Sequence, residues 1–140
     1  MMKQFYLILS LVFILLSAPG LAAAEPNMQE GQWEITTTVD MPGMPAAMPA
    51  MKHTQCITKN DLVPRSQTQQ QNQECTVTDT KTSGNTVTWA MKCKTGGSDM
   101  TGKGSITYSG DTFDGTFNMN MQGGMKMTQK MKGRRLGACK

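Results

Sequence analysis

Apolar and polar residues alternate one by one through much of this chain, and after the first two dozen residues no stretch of useful length repeats at helical spacing. The alternation predicts strands. Residues 33–39 form the first, with Trp33, Ile35, Thr37 and Val39 on one face. Segment 41–51 contains Pro42, Pro45 and Pro49, each without an N–H to donate, so it cannot be an interior strand. Strand character resumes at 52–57. Thr58-Lys59-Asn60-Asp61 then reads as a single turn before Leu62-Val63-Pro64, and 65–73 as a polar, Gln-rich loop.

Gly-containing breaks divide the second half into hairpins, and each break implies a register. With Ser83-Gly84-Asn85 as a three-residue loop, Cys75 faces Cys93, Val77 faces Met91 and Asp79 faces Trp89. With Gly110-Asp111 as a two-residue loop, Tyr108 opposes Phe113, Ile106 opposes Gly115 and Gly104 opposes Phe117. Glycines beside aromatics suggest curvature at Gly104 and Gly115. With Gln122-Gly123-Gly124 as the last loop, Met121 opposes Met125 and Met119 opposes Met127, extending the apolar face of Phe113 and Phe117. The expected fold is mainly β: an antiparallel meander, as a curved sheet or a small, partly closed barrel, stapled by disulfides.

The first residues have a different pattern. Lys3 precedes an apolar run over 5–16, Pro19-Gly20 breaks it, and Ala22-Ala23-Ala24 offers the small residues a signal peptidase reads. About 12 apolar residues are too few for the roughly 20 that span a hydrocarbon core. The expectation is a cleaved signal peptide over 1–24, a single domain over 25–140, no membrane anchor after cleavage, and a periplasmic or secreted protein. Lys3 leaves with the leader, so the formal net charge falls from +4 to +3. Lys126, Lys130, Lys132, Arg134, Arg135 and Lys140 alternate with Met and Thr, the pattern of a solvated strand face, and no nucleic acid is expected. All four cysteines follow the leader, without a Cys-x-x-Cys pair, so disulfides are favoured over zinc or thiol redox chemistry. Four cysteines allow three connectivities. The hairpin register favours Cys75–Cys93, and Cys56–Cys139 follows by elimination.

Methionine is the outlying feature of the composition, with 14 in the chain and 12 after the leader. One group is Met41, Met44, Met48 and Met51; the other is Met119, Met121, Met125, Met127 and Met131. Thioethers are soft, neutral donors suited to Cu(I) or Ag(I), and disulfide formation does not consume them. The candidate metal ligands are Met41, Met44, Met48, Met51, Met119, Met121 and Met127. Methionine also fills gaps against aromatic rings, lines adaptable apolar surfaces and consumes oxidants. Packing is the plainer reading. His53, the single histidine, reads as a surface group rather than a ligand. No nucleophile motif surrounds it, the acids form no His-anchored cluster, and Gly96-Gly97 and Gly123-Gly124 lack the surroundings of a phosphate cradle. No catalytic or cofactor-binding residue is expected, and the chain is not expected to be an enzyme.

Several separated segments carry a resemblance together. They are Gly31-x-Trp33-Glu34, Met41-Pro42-Gly43-Met44-Pro45, His53-Thr54-Gln55-Cys56, Gly84-Asn85-Thr86-Val87-Thr88-Trp89, Met100-Thr101-Gly102, Tyr108-Ser109-Gly110-Asp111-Thr112-Phe113-x-Gly115 and Gly133-Arg134-Arg135-Leu136-Gly137-x-Cys139. In order and spacing, over 29–140, they resemble a family of small exported bacterial proteins catalogued as a domain of unknown function. The resemblance implies a periplasmic or secreted location and transfers no catalytic residue. The leading expectation is a non-enzymatic β-rich binding or structural module, whose partner is a small apolar ligand or a protein. The alternative is soft-metal binding or buffering through the clustered methionines, with Cu(I) as the only cofactor considered.

Overall fold

The computed structural model describes residues 24–44, 48–64 and 74–140. Residues 1–23, which carry all but the last residue of the expected signal peptide over 1–24, the tip of the Met/Pro-rich segment at 45–47 and the Gln-rich 65–73 lie outside the described residues. The described residues form seven strands: β1 (Gly31–Asp40), β2 (Met51–Ile57), β3 (Glu74–Ser83), β4 (Thr86–Thr95), β5 (Ser98–Ser109), β6 (Thr112–Asn120) and β7 (Lys126–Gly137). Every neighbouring pair is antiparallel. Among the described residues no helix is long and apolar enough to cross a membrane.

The strands make one sheet in the order β2-β1-β7-β6-β5-β4-β3. This is the circular order of an up-and-down barrel, cut open between β2 and β3. The predicted meander is therefore present as β3 to β7, while β1 closes onto β7 and the two strands flanking the seam become edges. The sheet is strongly curled. Trp33 on β1 and Tyr108 on β5 have ring centroids 6.1 Å apart, although β7 and β6 lie between them. Three strand spacings in a flat sheet would separate their backbones by about 14 Å.

Glycine makes the curl possible. A Cβ on Gly133 would overlap the Phe113 ring, one on Gly104 the Trp89 indole, and one on Gly102 the Phe117 ring. Aromatic side chains thus lie down on the neighbouring strand instead of standing up from their own. The predicted pairing of Gly104 with Phe117 is present, but Trp89 occupies the space above Gly104 and Phe117 lies over Gly102. Trp33, Phe113 and Tyr108 then pack ring against ring at 5.5 to 6.1 Å. With Ile35, Ile57, Val87 and Ile106 they form the fully buried core.

The outer face is polar, as the basic alternation predicts. Lys126, Lys130, Lys132 and Arg134 are exposed there, with Lys132–Asp114 at 3.7 Å and Arg134–Glu34 at 3.2 Å. Such exposed pairs contribute little to stability. Arg135 turns the other way, and its Nε donates to the Glu30 carbonyl at 2.8 Å.

Both expected disulfides are present, Cys75–Cys93 and Cys56–Cys139. The β5–β6 and β6–β7 registers match the prediction, with Tyr108 opposite Phe113 and Met119 opposite Met127. The β3–β4 hairpin differs. Cys75 faces Cys93 and Val77 faces Met91, but the expected Asp79–Trp89 pair does not form. The turn is Gly84-Asn85 alone, with Gly84 at φ +57°. A glycine in that first position suits the turn type whose twist matches the flanking strands. The additional residue is absorbed as a bulge at 79–80, where Asp79 takes φ +52°. Strand β5 starts at Ser98, because Gly96-Gly97 makes a further two-residue turn.

Candidate functional site

The strand register sorts the inner face into rows. Trp33, Ile35, Phe113 and Tyr108 fill one end of the curled sheet with closely packed rings. Further along the strands comes a row formed by Val39, Gln129, Phe117, Gly104 and Trp89, taken across β1, β7, β6, β5 and β4. The next row is Met127, Met119, Gly102 and Met91, and beyond it Met100, Cys93 and Cys75 stand in register. Aromatic side chains thus give way to methionines along the strands, and the packing opens.

There the inner face holds a cavity of about 320 Å³. Nine methionines line it: Met41, Met48, Met51, Met91, Met100, Met119, Met121, Met127 and Met131. Trp89, Phe117, Val39, Pro64 and the Cys75–Cys93 disulfide complete its apolar wall, and Gln129 is the one side-chain amide lining it among the described residues. The Trp89 and Phe117 rings stack at 6.2 Å with their planes 8° apart, giving the wall a rigid aromatic portion. The methionines give it an adaptable one, because an unbranched thioether refits its contacts at little cost.

The segment after β2 completes the wall near the open seam. Thr58 and Asp61 close the predicted turn. Leu62 and Val63 pack on the core. The Tyr108 hydroxyl donates to the Leu62 carbonyl at 2.6 Å, which fixes the chain just before Pro64 reaches the cavity. Burial, with the Asp61 charge adding to it, raises the Tyr108 phenol well above its ordinary pKa. The hydroxyl is therefore a firm donor across the physiological range.

Six of the seven candidate ligands, Met41, Met48, Met51, Met119, Met121 and Met127, share this cavity. Met44 does not line it. It is 54% exposed and borders a separate hollow with Thr38, Asp40 and Lys130. Met125 also points away, 62% exposed at the β6–β7 turn. Met91, Met100 and Met131 were outside the candidate set, yet they stand on the wall. Met91 was already legible as the residue facing Val77; its inward phase, the same as that of Trp89 and Cys93, was the available signal. His53 departs from expectation: it is half-buried beside Ile35, and its Nε2 is enclosed without a hydrogen-bond partner. Among the described residues, no group of three or more His, Cys, Asp or Glu side chains could hold a metal ion.

A single curled, open antiparallel sheet with an apolar cavity on its inner face is the class that fold and site define. The chain belongs to the family described as "Protein of unknown function (DUF3617)", whose model matches residues 28–139. No curated protein and no solved structure matches it. The two disulfides fit an oxidising, non-cytoplasmic environment.

Proposed function

We propose that this chain is a non-enzymatic binding protein of the periplasm or the extracellular space, and that it takes up a small apolar molecule. The observation that carries the reading is the cavity of about 320 Å³ walled, among the described residues, by nine methionines and two aromatic rings, with a single amide. A core built only for stability closes such space, because each void forfeits dispersion contacts and burial energy. The size sets the class of ligand. At roughly 30 Å³ per water-sized group, the space holds about ten non-hydrogen atoms. Burying roughly 300 Å² of such a ligand at about 25 cal/mol per Å² gives about 7 kcal/mol before the costs of association. After those costs the expected affinities are weak, from high micromolar to millimolar.

Titration of the oxidised protein with the uncharged dye N-phenyl-1-naphthylamine, whose ten-carbon naphthyl group matches the space while its phenyl group projects through the open side, tests this. Saturable, one-to-one fluorescence enhancement is expected, and Met119→Glu, which puts a charge into the wall, should weaken it at least about tenfold. An enhancement that never saturates, or one that M119E leaves unchanged while the protein stays folded, would sink the reading.

A second reading is supported by one feature. Two methionine groups lying more than sixty residues apart in sequence contribute six of the seven candidate sulfurs to one cavity. That favours Cu(I) or Ag(I), for which thioethers are suitable donors. Anaerobic Cu(I) titration against a chromophoric chelator separates the two readings. Affinity weaker than micromolar, unaltered by Met→Leu at 119, 121 and 127, removes the metal.

A further inference from the structure

The wall uses methionine where packing alone would accept another residue. Beyond residue 24 the chain has 12 methionines and two leucines, although leucine fills a similar volume and replaces methionine in most cores at small cost. What the thioether adds is chemistry. Its sulfur is a soft nucleophile that two-electron oxidants convert to the sulfoxide. No thiol competes for such an oxidant, because all four cysteines are held in disulfides.

Position sorts the methionines into sets of different reactivity. Met125 is 62% exposed at the β6–β7 turn and lies off the cavity. Met119, Met121 and Met127 are half-buried and line the cavity, with Met119 directly opposite Met127. Met91 and Met131 are 4% and 6% exposed, buried in the packed part of the wall. Hydrogen peroxide is little larger than water, and a space for about ten water-sized groups admits it. The sulfurs that an apolar ligand would touch are therefore also the ones a small oxidant reaches from within.

We propose that Met119, Met121 and Met127 form an oxidation site, and that their conversion to sulfoxides by a peroxide expels the apolar ligand. The proposal rests on the apolar-ligand reading above and adds its regulation. In each step the peroxide O–O bond breaks and an S–O bond forms. Sulfur gives up two electrons, and the second peroxide oxygen leaves as water. The sulfoxide oxygen is a strong hydrogen-bond acceptor that water satisfies. A hydrocarbon ligand seated against it removes that water and offers no donor in return, so the occupied cavity loses its advantage over the wet one. Across Met119 and Met127 two such oxygens face each other.

The test oxidises the protein stepwise with hydrogen peroxide, reads every methionine by peptide mass spectrometry, and titrates each step with N-phenyl-1-naphthylamine. Met125 should gain oxygen first, with dye affinity unchanged. Met119, Met121 and Met127 should follow, and dye affinity should fall with them at least about tenfold while β3 to β7 stay protected from amide exchange. Met91 and Met131 should react last. Dye added beforehand should slow oxidation at 119, 121 and 127 and leave that of Met125 as it was. The triple variant M119L/M121L/M127L keeps an apolar wall without these sulfurs, and it should bind the dye equally before and after the treatment. Oxidation of all three sites with dye affinity unchanged would overturn the inference and leave the apolar reading standing. So would three sites that stay unoxidised throughout the series, an equal loss of binding in the leucine variant, or a loss that comes only with unfolding. If the dye does not bind before oxidation, the apolar reading fails and this inference fails with it.

Discussion

Tyr108 joins the core to the cavity through one hydroxyl, and removing that hydroxyl has two separable effects. The Tyr108→Phe change leaves the Leu62 carbonyl without its donor, so at neutral pH the protein should lose about 1 to 2 kcal/mol. The second effect concerns alkali. Folding raises the pKa of this phenol above its ordinary value of 10.0. Below that pH the folded and unfolded chains both keep the proton. As pH rises past it, the unfolded chain ionises first, so the stability associated with this group declines from about pH 10 upward. Tyr108 is the single tyrosine beyond residue 24. Urea unfolding between pH 8 and pH 11 should show a smaller alkaline loss in Y108F than in the unaltered protein, and parallel curves would refute the assignment. The sequence made Tyr108 legible as the partner of Phe113. It gave no sign of the bond to Leu62, 46 residues away, because no periodicity encodes a side-chain contact across the seam.

At the scale of elements, what could be read from sequence depended on turn length. Gly110-Asp111 and Gln122-Gly123-Gly124 leave little choice of register, and since a one-residue slip would turn every side chain over, the pairings of Met119 with Met127 and Tyr108 with Phe113 could be read directly. The β3–β4 hairpin was less determinate, because a three-residue loop without a bulge and a two-residue turn with one both bring Cys75 opposite Cys93. The structure adopts the second, and Asp79 holds a left-handed conformation to do so. Deleting Asp79 should therefore be tolerated. Thr80 would then oppose Trp89 in an unbroken ladder, and the cysteines would keep their pairing. The expected result is a fully oxidised protein with melting temperature unchanged or a few degrees higher, since a non-glycine residue leaves positive φ. Two free thiols per molecule in a thiol assay would show that the bulge is needed for the register. Pairing of β1 with β7 was beyond local reading altogether. It joins 31–40 to 126–137, and alternation tells which face a strand buries but not which strand lies beside it.

For the whole molecule, an open barrel has a cost that a closed one avoids, because among the described residues β2 and β3 each present an unpaired edge. The two disulfides fall on these edges. Cys75–Cys93 fastens β3 to β4, and Cys56–Cys139 fastens β2 to the chain just beyond β7, across β1. Open seam and covalent edges are thus parts of one arrangement: the seam leaves room for the cavity, and the bonds hold the strands that lack an outer neighbour. The two bonds are not equivalent. Cys56–Cys139 spans 83 residues and Cys75–Cys93 spans 18, so loop entropy assigns about 4.5 and about 3 kcal/mol respectively. Cys56 and Cys139 are both exposed, whereas Cys93 is buried in the cavity wall. Brief treatment with a mild reductant, followed by alkylation and peptide mass spectrometry, should therefore label Cys56 and Cys139 first. The double variant Cys56→Ser/Cys139→Ser should unfold at lower denaturant, and amide exchange should quicken in Met51–Ile57 before any other strand. Its effect on the ligand follows from the same geometry. β2 gives the cavity only Met51, at its outer end, so dye affinity should fall less than stability does. Dye binding abolished under conditions where β3 to β7 remain protected from exchange would show that the β2 edge, and not the methionine rows of β4 to β7, holds the ligand.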